Sequence, residues 1–467
     1  MGRRFLALDL GAESGRAMLA QLDRGRIELN ELHRFTNTPV QLPAGLYWDT
    51  LRLFDGICEG LRVAVRATGA LDGIAVDTWG VDFALLGEGG ELLDNPRHYR
   101  DARTAGVPGQ VFQTVPRNEI FRQTGIQSME INSLYQLYAL KRDSPKLFGA
   151  ASKLLFMPDL FNYFLTGSCV SERTIASTSQ FYDPIAKCFT TGLLQRLGLE
   201  ADFLCELVEP GTELGKLLPY VADVGVPVYA TASHDTASAV AAVPARDGAD
   251  WCYISSGTWS LIGLELDDPL MDEATLDANF TNEVGVEGTI RFLKNVPGLW
   301  IVQECRRAWK YDGQEFTYAE LMERAAAAKP SRTVIDLDEF TSPGNHPKRI
   351  CEYCRKTEQA VPQGPGETVR VVLQSMAARY KDVLASLEKL TGRSVEVIHI
   401  VGGGSRNKLL NQLTADVTGR RVIAGPAEAT AAGNALAQGL GTGAVGSLAE
   451  IRDVVRRSFE LEEFLPG

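Results

Sequence analysis

Read for the period of its apolar residues, the chain opens on a short hydrophobic run at residues 5–10 that ends in Gly11, and a second run follows at residues 16–22. Two such runs around a glycine-bounded turn predict antiparallel strands. The pattern returns mid-chain, where residues 251–255 and 259–264 flank Ser256-Gly257-Thr258. Two strand–turn–strand units this far apart predict an internal duplication. Between them, residues 73–76 and 83–86 predict strands around the loop Asp77-Thr78-Trp79-Gly80-Val81-Asp82, as a hairpin or a strand–loop element. Apolar positions every three or four residues predict helices at 133–142 and 153–165. A short strand at 227–230 leads through Ser233-His234-Asp235-Thr236 into a small-residue helix at 237–243.

In the second half, residues 369–390 predict a long helix stopped by Gly392, and residues 395–401 a strand that runs into Gly402-Gly403-Gly404. Ser405 and Asn407 are available to cap the helix at 408–418; a strand at 421–424 and a helix at 428–438 follow. Strands alternating with helices predict α/β layers. At 467 residues the chain outgrows one core, so two domains are expected, 1–245 and 246–467, with a hinge at 244–248.

Composition narrows the function. With 45% hydrophobic and 23% charged residues the chain reads as globular, neither disordered nor collagen-like. The net charge of −12 disfavours a nucleic-acid partner, and any anionic ligand has to be held by backbone N–H groups, helix N-termini and a metal ion. Asp9 breaks the first apolar run, so it is no signal peptide, and Leu6 stands where myristoylation needs Ser or Thr. No apolar stretch reaches the ~20 residues that span a bilayer, so a cytoplasmic enzyme with no membrane partner is expected. Cys351 and Cys354 form a CxxC near His346, but no second pair completes a zinc site, and the 8 cysteines read as reduced, mostly buried thiols.

Four places carry candidate chemistry. In Asp9-Leu10-Gly11-Ala12-Glu13-Ser14-Gly15-Arg16 the glycines permit tight φ angles that bring backbone N–H groups to an anion, Asp9 suits a metal-bound water, and Ser14 and Arg16 suit phosphate oxygens. A plain hairpin turn reads equally well. Ser255-Ser256-Gly257-Thr258 offers hydroxyls in the duplicated context. Gly402-Gly403-Gly404 suits a flat base or ribose against bare backbone, or else a close-packed strand–helix corner; it lacks the GxGxxG of a dinucleotide fold. Asp235 stands where a proton acceptor for phosphoryl transfer belongs, and equally where a helix cap does. A Ser–His–Asp hydrolase is disfavoured, because no GxSxG elbow is present and His234 adjoins Asp235 in sequence.

The blocks DLGAESGR, VDTWGVDFALL, HYRDART, SHDTASAV, SSGTWSLIG, FLKNVPGLWIVQECRRAW, IVGGGSRNKLLNQLTAD and GPAEATAAGN run from residue 5 to about residue 434. In this order they resemble the FGGY carbohydrate kinases, and most closely members that act on L-rhamnulose. The resemblance implies two duplicated actin/hexokinase-like (ribonuclease H-like) ATPase domains with a ligand cleft between them. The first would carry the sugar site and one phosphate turn, the second the other turn and the adenosine site. It implies transfer of phosphate from ATP, with Mg²⁺, to the terminal hydroxyl of the ketose, by a monomer or homodimer.

By the same resemblance Ala12, Glu13, Ser14, Gly15, Arg16 and Thr258 hold phosphates, and Gln303 and Gly403 the nucleoside side. Asp235 accepts the proton, Gly80, His234, Asp235, Thr236 and Asn295 line the sugar, and Asp9 reaches the metal through water. Asp82, Asp101 and Arg103 rank behind these. Gly80 also reads as a turn residue, Asn295 as a cap and Gln303 as a surface helix residue. Glu13 departs from the family, where a small residue is common, and Thr414 and Thr418 stand where some relatives carry cysteine. A kinase for fuculose or xylulose, an inactive sugar binder and a nucleotide-switch ATPase are the competing readings.

Overall fold

The computed structural model describes residues 2–222, 224–246 and 250–467. Of the expected hinge at 244–248, Asp247 and Gly248 lie outside these described residues. The chain forms two compact units that interleave along the sequence: Met1–Pro244 with Glu265–Phe292 and Ala429–Ser458, and Ala245–Leu264 with Leu293–Glu428 and Phe459–Gly467.

The first unit is built on a six-stranded sheet in the order Glu213–Lys216, Pro227–Tyr229, Gly73–Thr78, Arg3–Leu10, Ser14–Asp23, Arg26–Thr36. Arg3–Leu10 is central and its residues from Phe5 to Leu10 are buried, which is why its sequence there is apolar at every position but Asp9. It pairs antiparallel with Ser14–Asp23, setting Asp9 opposite Arg16, and parallel with Gly73–Thr78, setting Asp9 beside Asp77. A further parallel bridge joins Thr78 to His234. Asp9, Asp77 and the His234–Asp235 turn therefore gather at the carboxyl ends of neighbouring strands, where α/β sheets place their ligands.

The helix Ala429–Gly441, far along the chain, lies on this sheet. Its Gln438 Nε2 donates to the Leu6 carbonyl at 3.2 Å, and its Asn434 Nδ2 donates to Asp77 Oδ2 at 2.6 Å. A methyl on Gly433 would sit 1.8 Å from the Ser238 carbonyl oxygen, so this helix meets Asp235–Ala241 backbone to backbone.

Of the two readings of residues 77–82 the strand–loop element holds and the hairpin does not: Gly73–Thr78 stays in the main sheet while Phe83–Leu86 pairs antiparallel with Lys153–Phe156. That second strand occupies the start of the expected helix at 153–165, which begins only at Met157. Pro158 explains the boundary, since proline lacks the N–H needed beyond a helix's first turn.

The second unit repeats the plan. Trp251–Ser256 pairs antiparallel with Trp259–Leu266 and parallel with Val397–Val401, and Arg421–Ala424 continues the parallel run to the antiparallel edge strand Glu462–Phe464. The 28-residue helix Gly364–Thr391 ends as expected at Gly392, whose φ of 67° closes the last turn, and Asn407 caps Lys408–Thr418 by accepting from the Leu410 N–H. No helix among the described residues is long and apolar enough to cross a membrane.

Candidate active site

In the first unit the turn after Arg3–Leu10 is closed by the Gly11 N–H donating to the Ser14 carbonyl at 3.0 Å. Asn37 ties its outside, with its own N–H on the Glu13 carbonyl and its Nδ2 on the Gly11 carbonyl at 2.9 Å. Neither Gly11 nor Gly15 has a positive φ, so the tight-angle explanation for these glycines does not hold. Gly15 is glycine because the Phe35 ring fills the place of its side chain, 2.2 Å from where a Cβ would stand. Arg16 ion-pairs with the buried Asp9, while Ala12, Glu13 and Ser14 stay half-exposed on the rim.

Asp235 opens the helix Asp235–Ala241. Its side chain keeps 30% of its surface in solvent, and Oδ1 accepts from Thr236 Oγ1 at 3.1 Å. Burial pushes its carboxyl above the ordinary aspartate value; His234 works against the rise and Asp9 adds to it. His234 is buried with Nε2 3.5 Å from Asp235 Oδ1, and Gly80 lies so near that a methyl there would come within 3.3 Å of Nε2. The first unit thus brings together Gly80, His234, Asp235 and Thr236. Asn295 belongs to the second unit, inside strand Ile290–Pro297, which removes the helix-cap reading.

The loop that delivers Gly80 is held from several sides. Val81 adopts a φ of 68°, costly for a β-branched residue, with its N–H on Thr178 Oγ1 and its carbonyl accepting from Ser133 Oγ. Asp82 is wholly buried and accepts from Trp48 Nε1 at 2.6 Å, Trp79 Nε1 at 2.9 Å and Gln136 Nε2 at 2.7 Å. Burial pushes its carboxyl up to about 6 against these bonds. With its lone pairs taken, Asp82 shapes the loop. Asp101 does similar work, accepting from the Leu46 and Arg103 N–H groups, and Arg103 donates to Gln136.

Sequence reasoning passed over three acids here. Asp77 is buried, and burial with Asp9 nearby pushes it well above its ordinary value; Oδ1 has no hydrogen-bond partner. Glu172, pushed by burial up to about 7, accepts from the Ser233 N–H at 3.1 Å and so anchors the turn before Asp235. Glu283 faces His234 Nδ1 at 3.3 Å. The motif VDTWGVDF contained Asp77, but nothing local marks Glu172 or Glu283.

In the second unit the Gly257 N–H closes the turn onto the Trp259 carbonyl at 2.9 Å. The Gly298 and Trp300 N–H groups donate to the Thr258 carbonyl, and the Leu299 N–H to Gly257. Gly298 presses backbone on backbone: a Cβ would meet the Trp259 carbonyl carbon at 2.6 Å. Part of the block NVPGLW is thereby accounted for as the brace of SSGTW. In the triple glycine the outer pair are packing positions, with Cβ atoms that would strike Ser256 at 3.1 Å from Gly402 and 2.0 Å from Gly404. The middle one, Gly403, is exposed, with nothing within 4 Å of where a Cβ would stand. Gln303 is half-buried on helix Trp300–Tyr311, its Oε1 accepting from Arg306 at 2.7 Å. Cys351 and Cys354 share helix His346–Lys356 as free thiols, and both ring nitrogens of His346 face backbone carbonyls.

The N-terminal domain of the FGGY family of carbohydrate kinases matches residues 4–242, and its C-terminal domain matches residues 252–442. A rhamnulokinase of Bacteroides thetaiotaomicron is 43% identical over 100% of this chain and 96% of its own length. Those of Enterococcus faecalis and Bacillus subtilis are 41% and 39% identical, over 98% and 99% of this chain and 94% and 95% of their own lengths. Among solved structures, gluconate kinase from Lactobacillus acidophilus superposes with a TM-score of 0.80 at 17% identity, and Plasmodium falciparum glycerol kinase with ADP with 0.78 at 15%. Each covers 100% of this chain and 94% of its own, a likeness of fold: the duplicated actin/hexokinase-like architecture. With both halves matched and curated relatives aligned from end to end, this chain belongs to the FGGY family of carbohydrate kinases.

Proposed function

We propose that the protein transfers the γ-phosphoryl group of ATP to the terminal hydroxyl of L-rhamnulose, giving L-rhamnulose 1-phosphate and ADP, as a cytoplasmic monomer or homodimer. The relatives named rhamnulokinase supply the sugar. Asp235 carries the chemistry: it is a half-exposed carboxylate that opens the helix after a strand, pushed by burial above the ordinary aspartate value, with His234, Thr236 and Gly80 around it. As the sugar oxygen bonds to phosphorus, its proton passes to Asp235 and the β–γ bridging oxygen leaves with ADP.

In this reading residues 1–245 hold the sugar and one phosphate turn, Ala12 to Arg16, mainly through backbone. Residues 246–467 supply Thr258 to the phosphates, Gln303 and Gly403 to the nucleoside, and Asn295 to the sugar. Among the described residues no three acidic, histidine or cysteine side chains converge to chelate a bare metal ion. Asp9, buried at the turn beside Asp77 with its partnerless Oδ1, fits a cation held through water. Mg²⁺ bound there with ATP would neutralise phosphate charge.

The test is a panel of ketoses with ATP, reading ADP release and the position of the new phosphate. L-Rhamnulose with phosphate on C1 is the expected best substrate. A preference for fuculose or xylulose would overturn the sugar assignment, and ATP turnover that no ketose stimulates would overturn the kinase assignment.

A further inference from the structure

His234 is held by a charged pair that the reaction itself does not need. Its Nδ1 lies 3.1 Å from Arg291 Nη2 and 3.3 Å from Glu283 Oε2. Arg291 is completely buried; its Nε donates to the Val284 carbonyl at 3.1 Å, and its Nη1 lies 3.2 Å from Glu283 Oε2. Burial alone would raise the Glu283 carboxyl, but the Arg291 guanidinium and His234 outweigh it and hold it below the ordinary glutamate value. Taking an arginine and a carboxylate fully out of water is expensive, and an apolar pair of the same volume often serves stability as well.

The geometry explains what the pair accomplishes. A guanidinium nitrogen has only protons to offer. If Arg291 donates to Nδ1, that nitrogen is an acceptor and the ring's proton sits on Nε2. Nε2 is the nitrogen facing Asp235 Oδ1 at 3.5 Å and the bare backbone of Gly80.

We propose that Arg291 and Glu283 are positioning residues for sugar recognition: Arg291 fixes the Nε2–H tautomer of His234, which then offers a donor to a sugar oxygen beside Asp235, and Glu283 holds Arg291 in place. This rests on the reading of Asp235 as the base of a sugar kinase. Were Glu283 the true partner of Nδ1, the ring would carry its proton there and present an acceptor to the sugar.

Long-range ¹⁵N–¹H correlation on histidine-labelled whole protein decides between these, with the His234 signals identified among the 5 histidines by their loss in His234→Gln. The expected result is a protonated Nε2 and an unprotonated, hydrogen-bonded Nδ1; a proton on Nδ1 overturns the proposal. In Arg291→Lys the sugar KM is expected to rise about tenfold, the loss of one charge-assisted hydrogen bond, with ATP KM unchanged. Glu283→Gln should move the sugar KM in the same direction. A folded Arg291→Lys protein with wild-type sugar KM also overturns the proposal, and if that variant does not fold, the wild-type spectrum still gives the answer. Failure of the kinase reading would show separately, as wild-type protein that phosphorylates no ketose.

Discussion

The turn at Gly11–Gly15 and the turn at Ser256–Thr258 occupy equivalent places in two sheets of like order, each closed by a glycine N–H onto a carbonyl across it. Their chemistry differs. The first is flanked by Asp9, Arg16 and, one strand over, Asp77; Asp77, Asp82, Asp159, Glu172 and Asp235, all pushed upward by burial, belong to the same unit. The second is flanked by hydroxyls and braced by Gly298, Gly402 and Gly404, where backbone lies against backbone or Ser256. A duplicated scaffold has been divided between a charged turn beside buried acids and a neutral turn of hydroxyls and close-packed glycines.

Five changes would break or sharpen that division. Asp235→Asn removes the base and is expected to lower kcat by about 10³-fold while ATP binding, followed by calorimetry, stays intact. The N-cap position itself is His234, with no side-chain cap bond, so persistent turnover would leave Asp235 only a first-turn acid of its helix. On the neutral side, Gly298→Ala drives a methyl into the Trp259 and Gly257 backbone and should cost about 2 kcal/mol in thermal or urea unfolding. Gly403→Ala meets nothing within 4 Å, so it should leave the unfolding midpoint alone and raise ATP KM. Equal melting losses in the two variants would contradict the contrast between them.

The fourth change, Asp82→Asn, is read in pH. Because folding raises Asp82 from 3.8 to about 6, the native state keeps a proton that the unfolded chain has released. Its contribution is therefore present below pH 3.8 and lost as pH rises through about 6, a span worth about 3 kcal/mol. Asp82→Asn should flatten this part of the stability–pH curve; an unchanged slope would count against the burial account. Smallest of the five, Glu13→Ser takes a carboxylate off a half-exposed turn and is expected to lower ATP KM by about twofold, the scale of an exposed charge. A rise in ATP KM would mean that Glu13 helps the metal.

Much of this plan was legible in residue order. The runs at 5–10 and 251–255 are mostly apolar because their strands are buried centrally, and Gly392 and Asn407 bound helices through local hydrogen bonds that sequence displays. Illegible features depend on partners distant in the chain. Residues 153–156 have the same apolar content in a helix or a strand, and pairing with Phe83–Leu86 decides; Pro158 was the local clue. Glu283 and Arg291 resemble surface charges until the fold buries them against His234. Gly15 read as a turn residue needing a tight φ and Gly298 carried no local signal, whereas they are spaces reserved for Phe35 and for neighbouring backbone.

The helix Ala429–Gly441 gives the protein a history as well as a shape. The strands beneath it are complete by Tyr229, yet Ala431, which packs with Ala7 and Met18, and Asn434, which meets Asp77, are made some two hundred residues later. During synthesis the first sheet must wait, with that face uncovered, while residues 293–428 of the second unit emerge. A ribosome stalled before residue 429 would hold a first unit that contains Asp235 but lacks the helix lying against its turn.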